Sequence, residues 1–78
     1  MNKLELYIQE KARLEGKQTQ VIPLSELARK TGYSIKEVKQ LLNLLVSKKD
    51  IKHLVFHEFD DYCEFMFRDN SPLWKSLQ

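Results

Sequence analysis

The sequence predicts an α+β fold: a three-helix core, one short strand and a C-terminal β-hairpin, followed by a short helical tail. Three observations predict it. The stretch from Leu24 to Asn43 reads as two helices joined at Gly32. Two β-rich runs, Ile51 to Phe56 and Tyr62 to Phe67, flank the polar His57 to Asp61, the pattern of a hairpin. A chain of 78 residues that is 42% hydrophobic and 31% charged has an ordinary globular composition and length for one domain, 1–78.

Residues 3 to 15 read as the first helix. Leu4, Tyr7 or Ile8, and Leu14 or Ala12 form one face, Lys3, Glu5, Glu10, Lys11, Arg13 and Glu15 the other, and Gly16 is a suitable stop. Val21 and Ile22 are β-branched and suit a short strand that must end at Pro23, which also opens the next helix. That second helix carries Leu27 and Ala28 and ends at Gly32, where a left-handed residue is needed and glycine adopts it without strain.

Ser34 and Glu37 form a capping box. The hydroxyl takes the amide three residues on and the carboxylate reaches back, so a third helix starts at Ser34. Its apolar positions Ile35, Val38, Leu41, Leu42 and Leu45 recur at helical intervals. Lys48 and Lys49 suit the negative pole at its end, and Asp50 stands where the chain turns into the hairpin, residues 51–68. In the hairpin, Leu54, Val55 and Phe56 are consecutive, as are Phe65, Met66 and Phe67, so both faces are expected to be apolar and covered. One cover is the tail, 70–78. Ser71 and Pro72 start a helix there, and Leu73, Trp74 and Leu77 give it an apolar face.

The segment 24–49, with Leu27 followed by Ala28, the turn at Gly32, Tyr33 within it, Ser34 as cap and Val38 and Leu41 inside, resembles the helix-turn-helix of DNA-binding proteins. With the first helix, the short strand and the hairpin, residues 3 to 68 resemble the winged-helix family. Asp50 stands where many members place Gly, and Asp tolerates the same left-handed backbone. The resemblance implies a third helix laid in the major groove of double-stranded DNA, with the wing beside it, in a transcriptional regulator.

The charge map agrees with the first half of that expectation. Residues 24 to 52 carry seven basic side chains against three acidic ones, whereas residues 53 to 78 carry two against five, so the total of +2 hides a polarised chain. The expected groove-facing residues are Ser34, Lys36, Lys39, Gln40 and Asn43, with Lys30, Lys48 and Lys49 on phosphates. Lysine serves phosphate or guanine, and Gln or Asn pairs with adenine through two hydrogen bonds. At the tip, Glu58, Asp60 and Asp61 would repel phosphate. A rival expectation is therefore a winged-helix interaction module, or an accessory subunit of a replication or other DNA-associated assembly. Its protein interface would use Phe59, Leu73, Trp74 and Leu77, and a homodimer through wing and tail would set two third helices about 34 Å apart.

Other chemistry finds little support. One cysteine, Cys63, permits no intrachain disulfide and suits a reducing interior; with no signal-peptide pattern and no long apolar run, a cytoplasmic protein without a membrane span is expected. His53 and His57 fall on one strand face but roughly 13 Å apart at about 3.3 Å per residue, too far to share a metal ion. Two glycines leave no phosphate loop, and no base is argued for Cys63, so neither enzyme, metal nor cofactor is expected.

Overall fold

A computed structural model describes residues 1–77; Gln78, the last residue of the expected tail, lies outside the described residues. The elements run α1 (Lys3–Glu15), β1 (Thr19–Pro23), α2 (Leu24–Thr31), α3 (Ile35–Ser47), β2 (Ile51–His57), a 3-10 turn (Glu58–Asp60), β3 (Tyr62–Phe67) and α4 (Pro72–Lys75). The fold is α+β, four helices with a three-stranded antiparallel sheet in the order β1-β3-β2. β1 therefore pairs with the hairpin through β3, Ile22 opposite Cys63 and Gln20 opposite Phe65.

Local chemistry accounts for most boundaries. Ahead of α1, Asn2 Oδ1 accepts the Glu5 amide at 2.8 Å and the Asn2 amide donates to Glu5 Oε1 at 3.2 Å, a capping box that Asn-x-x-Glu encodes locally. Leu4, Ile8 and Ala12 bury one stripe of that helix, and of the alternatives offered by the sequence Leu14 is the exposed one. Gly32 ends α2 at φ 80°, as the left-handed requirement predicts. The second box is present at α3, with the Glu37 amide donating to Ser34 Oγ and the Ser34 amide to Glu37 Oε1, both at 3.1 Å.

The exit from α3 differs from expectation by one residue. Lys49, at φ 64°, takes the left-handed conformation, while the Asp50 amide donates to the Leu45 carbonyl and the Lys49 amide to Val46, a Schellman ending. Asp50 is buried and accepts a 3.0 Å hydrogen bond from the Ser71 hydroxyl, which also accepts the Leu73 amide at the start of α4. The turn thus needs a residue that tolerates positive φ at 49 and a carboxylate at 50. Lys49→Gly is expected to stabilise the chain by up to about 1 kcal/mol by removing the left-handed penalty, a rise readable in the thermal midpoint.

The hairpin also departs from simple alternation. Between Lys52, opposite Met66, and Val55, opposite Glu64, β2 holds one residue more than β3, and His53 adopts φ 57° in this bulge. The extra residue resets the side-chain phase, so Ile51, Leu54 and Phe56 pack inward while Val55 points out with His53 exposed. β3 alternates without interruption, Cys63, Phe65 and Phe67 buried and Tyr62, Glu64 and Met66 only partly so. The consecutive apolar residues thus mark one buried face and one half-exposed face, and not two covered ones. His53 and His57 are no longer related by simple strand alternation.

The tail closes the core from the helix side. α4 packs on α1, Gln9 Nε2 donates to the Leu73 carbonyl at 3.1 Å, and Trp74 stacks on Phe67 with ring centres 6.0 Å apart. Another clamp joins α1 to α2: the Tyr7 hydroxyl donates to Glu26 Oε2, which also takes Lys11 Nζ at 3.2 Å. Chiefly through the Tyr7 bond, the Glu26 carboxyl is held below its ordinary range; burial first, and then that carboxylate, push the Tyr7 phenol up to about 12. A depressed acid stabilises the fold above its unfolded pKa, and a raised phenol does so below its own. The clamp therefore contributes between about pH 5 and pH 10 and fades on either side. Tyr7→Phe is expected to cost about 1–2 kcal/mol at neutral pH, a difference from the parent that narrows in acid below pH 4 and in strong alkali when urea midpoints are compared. A deficit constant across pH would show that the bond to Glu26 is not its source.

Candidate nucleic-acid interface

Helix α3 is fixed from one side. Val38, Leu42 and Leu45, at intervals of four and three, are buried against α2 and β2, so the residues half a turn away face solvent. Those are Lys36, Gln40, Asn43 and Ser47, spaced four, three and four apart and all exposed, with the exposed Leu44 (51%) beside them. The stripe brings together a cation, two amides and a hydroxyl, and no acidic residue lies on it. Ser47 and Leu44 extend the expected set. The same helical period carried one turn further would have found them.

Ser34 sits exposed at the start of α3, but its oxygen already accepts the Glu37 amide. Its hydroxyl hydrogen and one lone pair are left for an outward contact. The Glu37 carboxyl is held below its ordinary range by the Ser34 backbone and side-chain bonds, so a negative charge persists at this helix start. Lys39 does not share the stripe. It turns to the hairpin, where its ammonium pairs with Glu58 and lies 5.6 Å from the centre of the Phe56 ring. The expectation that Lys39 faces the groove with Lys36 and Gln40 is thus not met, because the hairpin packed beside α3 supplies Glu58 as its partner.

The remaining expected phosphate contacts occupy two places. Lys30 is exposed beside Arg29 at the end of α2, near the start of α3. Lys48 and Lys49 are exposed at the other end of α3, thirteen residues away, which is about 20 Å along a helix. Lys48 Nζ stands 4.0 Å from Oε2 of the buried Glu5, a loose pair whose lysine is half exposed.

The hairpin tip is tied down on both sides. The Ser25 hydroxyl donates to Asp61 Oδ2, the Leu24 amide donates to the Asp61 carbonyl at 3.0 Å, and Asp61 turns the chain at φ 53°. Asp61, read from the sequence only as a turn residue, is thus the anchor between tip and α2. Phe59 projects from the turn fully exposed. Of the other residues expected at a protein interface, Leu73 is 3% exposed and Trp74 and Leu77 pack against the same core. They close this chain's own interior, because the tail folds back over α1 instead of standing away from it.

Cys63 is fully buried, and burial pushes its thiol up to about 11, so it is neither an exposed ligand nor a thiolate at neutral pH. Among the described residues no three His, Cys, Asp or Glu side chains are grouped to hold a metal ion, and no helix is long and apolar enough to cross a membrane. Comparison with protein-family models, with curated proteins and with solved structures finds no match to this chain.

Proposed function

We propose that this chain is a small winged-helix DNA-binding protein, most simply a transcriptional regulator. In this reading α2 and α3 are the helix-turn-helix, β2 and β3 the wing, and β1 the short strand that completes the sheet. The observation that carries it is the exposed stripe Lys36, Gln40, Asn43 and Ser47, set opposite the buried stripe of α3. A helix presenting amides and a cation along one line has the donors and acceptors that read base edges, and the exposed Leu44 is an apolar contact suited to a thymine methyl. Arg29 and Lys30 at one end and Lys48 and Lys49 at the other supply phosphate contacts on either side of that line.

The reading is tested by incubating the purified chain with a mixed duplex pool at two salt concentrations and sequencing what is retained. Retention that weakens with salt and yields a recurring motif is expected. Retention without a motif would reduce the function to phosphate binding, and no retention at low salt would overturn it. One observation favours a second reading, an interaction module or accessory subunit of a DNA-associated assembly: the fixed acidic tip with Phe59 exposed between carboxylates.

A further inference from the structure

Two features at opposite ends of the hairpin lie outside the base-reading stripe of α3. At one end Phe59 has 107% relative exposure, with Glu58 and Asp60 on either side. The turn that carries it is held by the Asp61 amide on the Glu58 carbonyl, by Ser25 on Asp61 and by Lys39 on Glu58. An aromatic ring presented on a fixed turn is a preorganised anchor, since little ordering entropy remains to be lost on binding.

At the other end, between α1, the end of α3 and α4, lies a surface hollow of about 390 Å³ lined by Met1, Glu5, Lys48, Asp50, Pro72 and Leu73. Its two acids are buried and already engaged, Glu5 with the Asn2 amide and Asp50 with Ser71. What it offers outward is an apolar wall from the exposed Met1 and Pro72, floored by the buried Leu73, with Lys48 and the adjoining Lys49 exposed at its rim. The tip is an apolar ring between carboxylates; the hollow is an apolar recess beside ammonium groups. The seven residues of β2 separate them, about 20 Å at strand rise, so one copy cannot satisfy its own hollow.

We propose that the occupant of the hollow is the hairpin tip of a second copy of this chain, with Phe59 in the recess and the Asp60 carboxylate beside Lys48 and Lys49. Knob and hollow are different surfaces, so the contact is heterologous and copies associate head to tail, as an open chain or a ring. The acidic tip, which would repel phosphate, then has lysines to face. This association requires no DNA, so it stands or falls separately from the function proposed above.

Sedimentation velocity of the purified chain over a rising concentration series tests it. At low salt the average mass is expected to climb with concentration, and added salt to lower it, because exposed ion pairs are screened. Phe59→Ala, at a side chain open to solvent, is expected to weaken association at least tenfold with an unchanged thermal midpoint, and Lys48→Glu with Lys49→Glu to weaken association likewise. The decisive arm mixes these two variants. The first keeps its hollow and the second its tip, so together they form a 1:1 heterodimer that grows no further. A parent chain that stays monomeric at low salt, a Phe59→Ala chain that associates like the parent, or a mixture without heterodimer would each overturn the proposal.

Discussion

Phe65→Ala is expected to remove about 3–5 kcal/mol of stability, the largest loss of any substitution considered for this chain. Phe65 is 1% exposed on β3, the central strand, meets Phe67 edge-on with ring centres 5.6 Å apart, and lies opposite Gln20 of β1. Removing a buried phenyl costs about 3–5 kcal/mol through lost transfer energy and the cavity left behind. At about 0.05–0.15 kcal/mol per residue, a chain of this length has on the order of 4–12 kcal/mol in all. The loss is therefore most of the stability at the low end of that range and a large fraction at the high end. Urea unfolding followed by far-ultraviolet circular dichroism measures it, with Leu14→Ala as the comparison, since Leu14 stands exposed on α1 and its truncation is expected to move stability by no more than about 0.5 kcal/mol. Equal midpoints for the two variants would refute the placement of β3 at the centre of the core.

The second large effect concerns the proposed reading of DNA. Gln40→Ala with Asn43→Ala is expected to lower the preference for a selected duplex over a scrambled one by about 100-fold, taking about 1–3 kcal/mol of discrimination for each two-bond amide contact. Both side chains are exposed, so the fold is expected to keep its thermal midpoint. Lys36→Ala is expected to act differently, weakening selected and scrambled duplex alike and reducing the salt slope by about one if it meets a phosphate. Lys39→Ala provides an internal contrast, because its ammonium is already paired with Glu58 and contributes less to either quantity. Competition binding at several salt concentrations separates these behaviours. If the Gln40 and Asn43 changes left the preference intact, α3 would not be the reading element.

The parts of the molecule legible in the sequence are those whose cause is local. The start of α3 depends on Ser34 and Glu37, three residues apart, and its buried stripe on the spacing of Val38, Leu42 and Leu45; the end of α2 depends on Gly32 alone. The exposed stripe follows from the same periodicity, which sets Lys36, Gln40, Asn43 and Ser47 on one line. Lys39 fell outside that logic. It sits at the edge of the exposed arc, and its direction is set by Glu58, nineteen residues away.

The sequence by itself determined the element order, the limits of α1, both helix starts that rest on a serine cap and the polarised charge, because each is a property of residues within a turn or two of one another. Only the tertiary structure decided that β1 joins β3, that a bulge at His53 sends Leu54 and Phe56 inward, and that Asp50 accepts the Ser71 hydroxyl. It also decided that the tail buries Leu73 against α1 instead of offering it outward. These outcomes depend on which surfaces meet across long stretches of chain. An extra residue in one strand reverses every side chain beyond it, and a carboxylate is a turn residue or a buried hydrogen-bond acceptor according to what folds over it.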